Sequence, residues 1–318
     1  MKQKADLAVT TPAAGRVARE EQLTGIGAVE RDTGLSKDTL RVWERRYGFP
    51  KPERDAFGER VYPREQVEKL RVVKRLMDNG HRPGKIIQCS MGELKALSDE
   101  SETGLRHAAI PRGLERFVEM VRTHQVEELR RALGQEMARS GLGGFVTGVA
   151  APLNVVVGEL WTQGELEIFE EHLYTESMQA VLRNAIGNVP AGTTPPRILL
   201  TTFPNEQHGL GLLMAEAMLV LEGVQCVSLG VETPLSDIVH AAGTQGADIV
   251  ALSFSLAYPV TQATDGLAEL RRCLPERIDI WAGGGSGVLG RRLPDGVQPM
   301  NDLSMVNEAV GRWRTRRA

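Results

Sequence analysis

The sequence predicts a multidomain protein: a winged helix-turn-helix head (all-α with a small β wing), then a four-helix bundle, then a doubly wound α/β domain of the Rossmann-like or flavodoxin-like kind. Three observations predict it. Two short helical stretches meet at a turn containing Gly34, and the second is basic. Four stretches of apolar residues at helical spacing follow a polar linker. From Arg197 onward, apolar runs of strand length alternate with runs of helix length.

Size and composition allow this. The 318 residues suffice for two or three domains, and 42% hydrophobic with 25% charged residues is ordinary for a globular protein. No apolar run approaches the ~20 residues of a membrane span, so no membrane is expected. Residues 1–20 are polar, lack the apolar core of a signal peptide, and are expected to form a disordered tail. Cys89, Cys226 and Cys273 lie far apart without metal-ligand spacing, which fits a reducing, cytoplasmic setting. Net charge is −3, but Lys and Arg outnumber Asp and Glu between Arg31 and Arg82. A basic module on an acidic chain is the footprint of a domain that meets phosphate.

That module spans residues 21–92. Leu23 to Val29 reads as a short helix with Ile26, Ala28 and Val29 on its apolar side. Ser36 is a good N-cap for Lys37–Tyr47, where Leu40, Trp43 and Tyr47 recur at helical spacing. Its other face carries Lys37, Thr39, Arg41, Arg45 and Arg46. Pro50 to Tyr62 reads as a ribbon turned at Gly58, with Arg60 and Tyr62 on its return. A helix follows with Val67, Leu70, Val72, Val73 and Leu76 at core spacing.

Residues 93–111 are polar and broken by Gly104 and Pro111, the composition of a linker. Over 112–192 the helical stretches are Leu114–Val121, Gln125–Ser140, a stretch opened by Gly141 to Gly144 and running from Phe145 to Leu160, and Ile168–Val189. Nine residues separate Trp161, at the end of the third, from the pair Glu171 and His172 on the fourth.

In residues 193–318, strands are expected at Ile198–Phe203, Val224–Gly230, Asp248–Ser255 and Ile278–Ala282, with helices between them and a last one at Ser304–Arg314. Such a sheet binds ligands at the carboxyl ends of its strands. Glu206, His208 and Gly211 follow the first strand, Ser253 and Ser255 end the third, and Gly283 and Gly284 end the fourth. A carboxylate two residues before a loop histidine can hold the proton of one ring nitrogen and leave the other to bind a metal. A plain nucleotide-binding domain explains the sheet, but not a His, a Ser and a Gly pair on three strand ends.

These residues carry a resemblance across nearly the whole chain. The run Thr33-Gly34-Leu35-Ser36, then Thr39-Leu40-Arg41, Trp43-Glu44-Arg45-Arg46-Tyr47-Gly48 and the Arg60 to Tyr62 wing end resemble the DNA-binding domain of MerR-type transcription regulators. That resemblance places Lys37, Thr39, Arg41 and Arg45 at or near the major groove of operator DNA, Arg60 and Tyr62 near wing phosphates, and Trp43 in the core. Trp161, Glu171 and His172 resemble the helix-bundle cap of cobalamin-dependent photoreceptor regulators of the CarH and LitR kind. The His208, Ser253 and Gly283-Gly284 set resembles the cobalamin-binding domain of methionine synthase and the methylmalonyl-CoA mutases. By resemblance, His208 is the lower axial ligand of cobalt, Glu206 orients it, Ser253 contacts the displaced base, Gly283 and Gly284 line its tunnel, and Trp161 covers the upper axial group. Ser255 stands where the family has Leu.

The function so implied is a DNA-binding regulator, a repressor and not an enzyme, whose adenosylcobalamin senses light and controls assembly into a homo-oligomer (dimer or tetramer). Thr162 replaces a family histidine that takes the vacated cobalt position after light, with His172 and His124 as substitutes to consider. Methylcobalamin is a second candidate cofactor. A light-independent cobalamin-responsive regulator and a corrinoid methyl-transfer module are the alternatives.

Overall fold

A computed structural model describes residues 23–78, 81–94, 96–97, 110–256, 258–285 and 293–317. The expected tail (1–20) and most of the expected linker lie outside these residues. The chain divides between Ser101 and Glu102 into two compact units.

In the first unit, β1 (Thr24–Gly25) leads directly into α1 (Ile26–Thr33). The helix therefore starts later than the sequence suggests. Thr24 and Gly25 are extended because they pair antiparallel with Tyr62 and Val61 of the wing. Ser36 caps α2 (Lys37–Tyr47) by accepting from the Thr39 amide at 3.2 Å. The wing is β2 (Glu53–Arg54) and β3 (Arg60–Tyr62), giving a sheet of order β1-β3-β2. Its tip is fixed by Asp55, whose Oδ1 accepts from the amides of Phe57 and Glu59 at 2.9 and 2.8 Å. Leu40, Trp43 and Tyr62 pack with Val67, Leu70, Val73 and Leu76 of α3 (Arg64–Asp78). Arg71 ties α3 to α1 through a two-point pair with Asp32, at 3.0 and 2.7 Å. A short α4 (Pro83–Ile86) adds Ile86 to this core.

The second unit begins with α5 (Glu115–Arg122) and α6 (Val126–Phe145), the latter kinked at Gly141. A π turn at Val146–Ala150 joins α6 to α7 (Ala151–Gln163). Pro152 in the first turn of α7 has no N–H to donate backward, which accounts for the irregular turn before it. Then comes α8 (Ile168–Gly187), opened by a capping box of Glu167 and Glu170. The sequence suggests no membrane-length run, yet Val126–Trp161 is a 36-residue helical run apolar enough to span one by length and composition. Leu129, Leu133, Val149, Leu153 and Val157 of this run face the bundle core.

The sheet has order β5-β4-β6-β7-β8, all parallel: β4 (Thr194–Thr201), β5 (Val224–Gly230), β6 (Ile249–Phe254), β7 (Asp279–Gly284) and β8 (Val297–Met300). This is the flavodoxin-like order, whose switch point lies between β4 and β6. Strand β8 is additional to the four expected; it is short and contains Pro299, which an edge strand tolerates. Alternation along β4 sends Leu199 to one face, with residues of α10 (Leu235–Thr244) and α11 (Val260–Cys273). Ile198 and Leu200 go to the other, with α9 (Leu210–Leu221) and α12 (Met305–Arg317).

Helix α9 serves two cores. Leu212 and Leu219 pack on the sheet. Leu210, Leu213, Met214 and Ala217 belong to the core of the bundle, with Tyr174, Met178 and Leu182 of α8. The helix that follows the His208 loop is thus a fifth wall of the bundle.

Candidate functional site

The loop between β4 and α9 lies at the switch point of the sheet. Asn205 takes a left-handed conformation (φ 66°) and the chain turns sharply. Thr202 braces the turn: its hydroxyl donates to the Glu206 carbonyl at 2.7 Å and accepts from the Glu232 amide at 2.8 Å.

Glu206 is 1% exposed, yet every lone-pair direction it needs is met. Its Oε1 accepts from His208 Nδ1 at 2.7 Å and from the His208 amide at 3.0 Å. Its Oε2 accepts from the amide and the hydroxyl of Ser255, both at 2.8 Å. Burial pushes the carboxyl pKa up, but the bonds from His208 and from the Ser255 amide outweigh it and hold the group below its ordinary 4.5. Glu206 is therefore a buried carboxylate that fixes the ring of His208 through Nδ1. The His208 side chain is 62% exposed, with Nε2 as the nitrogen that would meet a metal.

Because the folded pKa is lowered, the stabilising contribution of Glu206 is complete above its unfolded value near 4.5 and is lost as pH falls through the lower folded value. Urea stability of the wild type minus that of Glu206→Gln should shrink on acidification below pH 4.5. A difference that is flat through acid pH contradicts this.

Ser253, 8% exposed, lies at the end of β6 beside Gly283, and Phe254 pairs with Gly284. Gly211 faces it across the switch point: a Cβ there would stand 2.7 Å from Ser253 Oγ. Gly284 has φ 117°, and a Cβ there would meet the Phe254 carbonyl oxygen at 2.0 Å. The three strand ends named from the sequence are thus brought together. Ser255 sits in the grip on Glu206, a role that the residue pattern did not suggest. Thr202 was also missed; its only signal was a Thr pair at a strand end.

In the bundle, Trp161 at the end of α7 is partly buried against the core. On α8, Glu171 Oε1 accepts from Thr175 Oγ1 at 2.7 Å, and the His172 side chain is 70% exposed. His124 instead pairs with Glu170, Nε2 to Oε1 at 2.9 Å.

In the head, Lys37 pairs with Glu30 at 3.3 Å, Thr39 Oγ1 lies 2.8 Å from Ser36 Oγ, and Arg41 donates to Asp38 at 3.1 Å; Arg45 is exposed. Arg60 is half-buried and pairs with Glu44 at 2.8 Å, tying the wing to α2. Tyr62, expected near wing phosphates, is fully buried, because the alternation along β3 turns it into the core. It packs the head and presents no hydroxyl to a phosphate.

Among the described residues no group of three or more His, Cys, Asp or Glu could hold a metal ion. A single oriented histidine suits a metal that arrives with most of its ligands in place, as cobalt does in a corrin, and the glycine-lined strand ends beside it suit a bulky planar group.

Residues 25–89 match the MerR HTH family regulatory protein model, and residues 114–185 match the B12 binding domain. The chain is 30% identical to the HTH-type transcriptional repressor CarH of Myxococcus xanthus over 257 residues, 79% of this chain and 85% of that one. The chain belongs to the CarH family of MerR-type regulators with a B12-binding domain. The CarA repressor of the same organism is 31% identical over 255 residues, covering 79% of this chain and 83% of CarA. The monomethylamine corrinoid protein of Methanosarcina barkeri shares the fold, with a TM-score of 0.50 at 15% identity over 61% of this chain and 94% of that one. As a member of the CarH family the chain is a transcription regulator with a DNA-binding head and a cobalamin-binding region.

Proposed function

We propose that this regulator is a light-responsive repressor that holds adenosylcobalamin through His208 and binds operator DNA as a homo-oligomer in the cytoplasm. The observation that carries the reading is the buried carboxylate of Glu206, gripped by Ser255 and fixing His208 at the sheet's switch point. Adenosylcobalamin would supply a cobalt–carbon bond that light breaks. The chain's own residues do the rest. His208 would bind the cofactor through Nε2 while Glu206 holds the proton on Nδ1, and Ser253, Gly211, Gly283 and Gly284 would accept its nucleotide tail. Trp161, with Glu171 and His172, would shield the cofactor on the bundle side. Because α9 is common to the site and the bundle core, a change at the site reaches the bundle by direct packing.

Residue 162 is threonine and carries no imidazole. After illumination, no second protein nitrogen should reach cobalt from this position. The test is the absorption spectrum of the protein with adenosylcobalamin, in the dark and after green light, alongside operator binding. Expected are a histidine-bound dark spectrum, an irreversible change on illumination, and weaker DNA binding afterwards. A protein that takes up no corrinoid, or whose spectrum and DNA binding ignore light, overturns the reading. A lit structure with a nitrogen ligand from the helix of residue 162 overturns the threonine prediction alone.

A further inference from the structure

Helix α2 divides its residues cleanly. Leu40 and Trp43 are 0% and 5% exposed and face the core of the head. The opposite stripe, at spacings that share one face, is Asp38, Arg41, Val42 and Arg45, all exposed. Val42 is the apolar member of that stripe and is 40% exposed. A lone exposed valine is ordinary on a protein surface. This one sits between two arginines on the second helix of a helix-turn-helix, the element that enters the major groove.

Charge decides what covers the stripe. Arg41 and Arg45 flank Val42 and favour a phosphate-bearing partner, while the acid of the stripe, Asp38, is already paired with Arg41 at 3.1 Å. An isopropyl group neither donates nor accepts a hydrogen bond. In the major groove the base feature it can read is the 5-methyl group of thymine.

We propose that Val42 reads a thymine by packing its methyl groups against the 5-methyl group, between contacts made by Arg41 and Arg45. The proposal rests on the DNA-binding reading of the head. It makes Val42 a specificity-determining residue, whereas exposed arginines that meet phosphate contribute affinity without sequence choice.

The test uses the full chain supplied with adenosylcobalamin and kept in the dark, and a duplex enriched from a random-sequence library by that chain. Each thymine of the duplex is replaced in turn by deoxyuridine, which lacks only the 5-methyl group, and affinities are measured for wild type and Val42→Ala. At one thymine in each half-site, the wild type should lose about fourfold in affinity, the worth of one methyl-sized group removed from water. Val42→Ala should lose little there, and the two proteins should respond alike at every other thymine. Equal responses at all thymines overturn the proposal while leaving DNA binding standing. Failure to enrich any duplex refutes the DNA-binding reading, and the proposal falls with it. Matching circular dichroism of the two proteins excludes misfolding of the variant.

Discussion

Replacing His208 with alanine is expected to weaken cobalamin retention by about 100-fold or more. Loss of a partner that merely orients a metal ligand costs 10–100-fold in metal affinity, and removal of the ligand itself should cost at least the upper end of that range. Glu206→Ala should fall inside the range, since it frees the ring and leaves the Ser255 amide and hydroxyl facing an empty space. Equilibrium dialysis with each variant checks both. Wild-type retention by His208→Ala would mean that cobalamin, if bound, keeps its own lower base. The ranking is informative too: Glu206→Ala more damaging than His208→Ala would assign the carboxylate a chiefly structural role.

Leu213→Ala should destabilise the second unit by roughly 2–5 kcal/mol, the range for truncating a buried leucine. Leu213 is 5% exposed and belongs to the bundle core although it lies in the α/β region of the chain. Its loss should therefore lower the protection of amides in α6 and α8 as well as in β4. Hydrogen exchange on the full chain reads this directly. If only β4 and α9 lose protection, the bundle is an independent fold, and packing through α9 does not couple it to the His208 loop.

The sequence carried much of this because several signals were local. Ser36 as a cap, Trp43 as core and the His208 loop between a strand and a helix all depend on near neighbours, and their spacing suffices to place them. The alternation of strand and helix runs placed Ser253 and Gly283 at strand ends, the family resemblance grouped them, and their pairing is seen in the fold. Other features depend on distant residues. The start of α1 was misplaced because Thr24 and Gly25 are claimed by the wing. The family resemblance placed Tyr62 near phosphates, and a three-residue strand is too short for alternation to show which face is buried. The grip of Ser255 on Glu206 joins residues 49 apart, which no local pattern shows. The dual role of α9 did leave a trace: Leu210–Leu221 is apolar nearly all round, as a helix covered on opposite sides must be.

The most direct test of the account is electron paramagnetic resonance of the full chain loaded with cob(II)alamin, comparing natural-abundance protein with protein carrying ¹⁵N-histidine. If His208 is the axial ligand, the triplet nitrogen splitting of the cobalt lines becomes a doublet on labelling, and no doublet appears in labelled His208→Ala. A triplet that persists in the labelled protein would show that the nitrogen on cobalt belongs to the cofactor, and the central claim would be wrong.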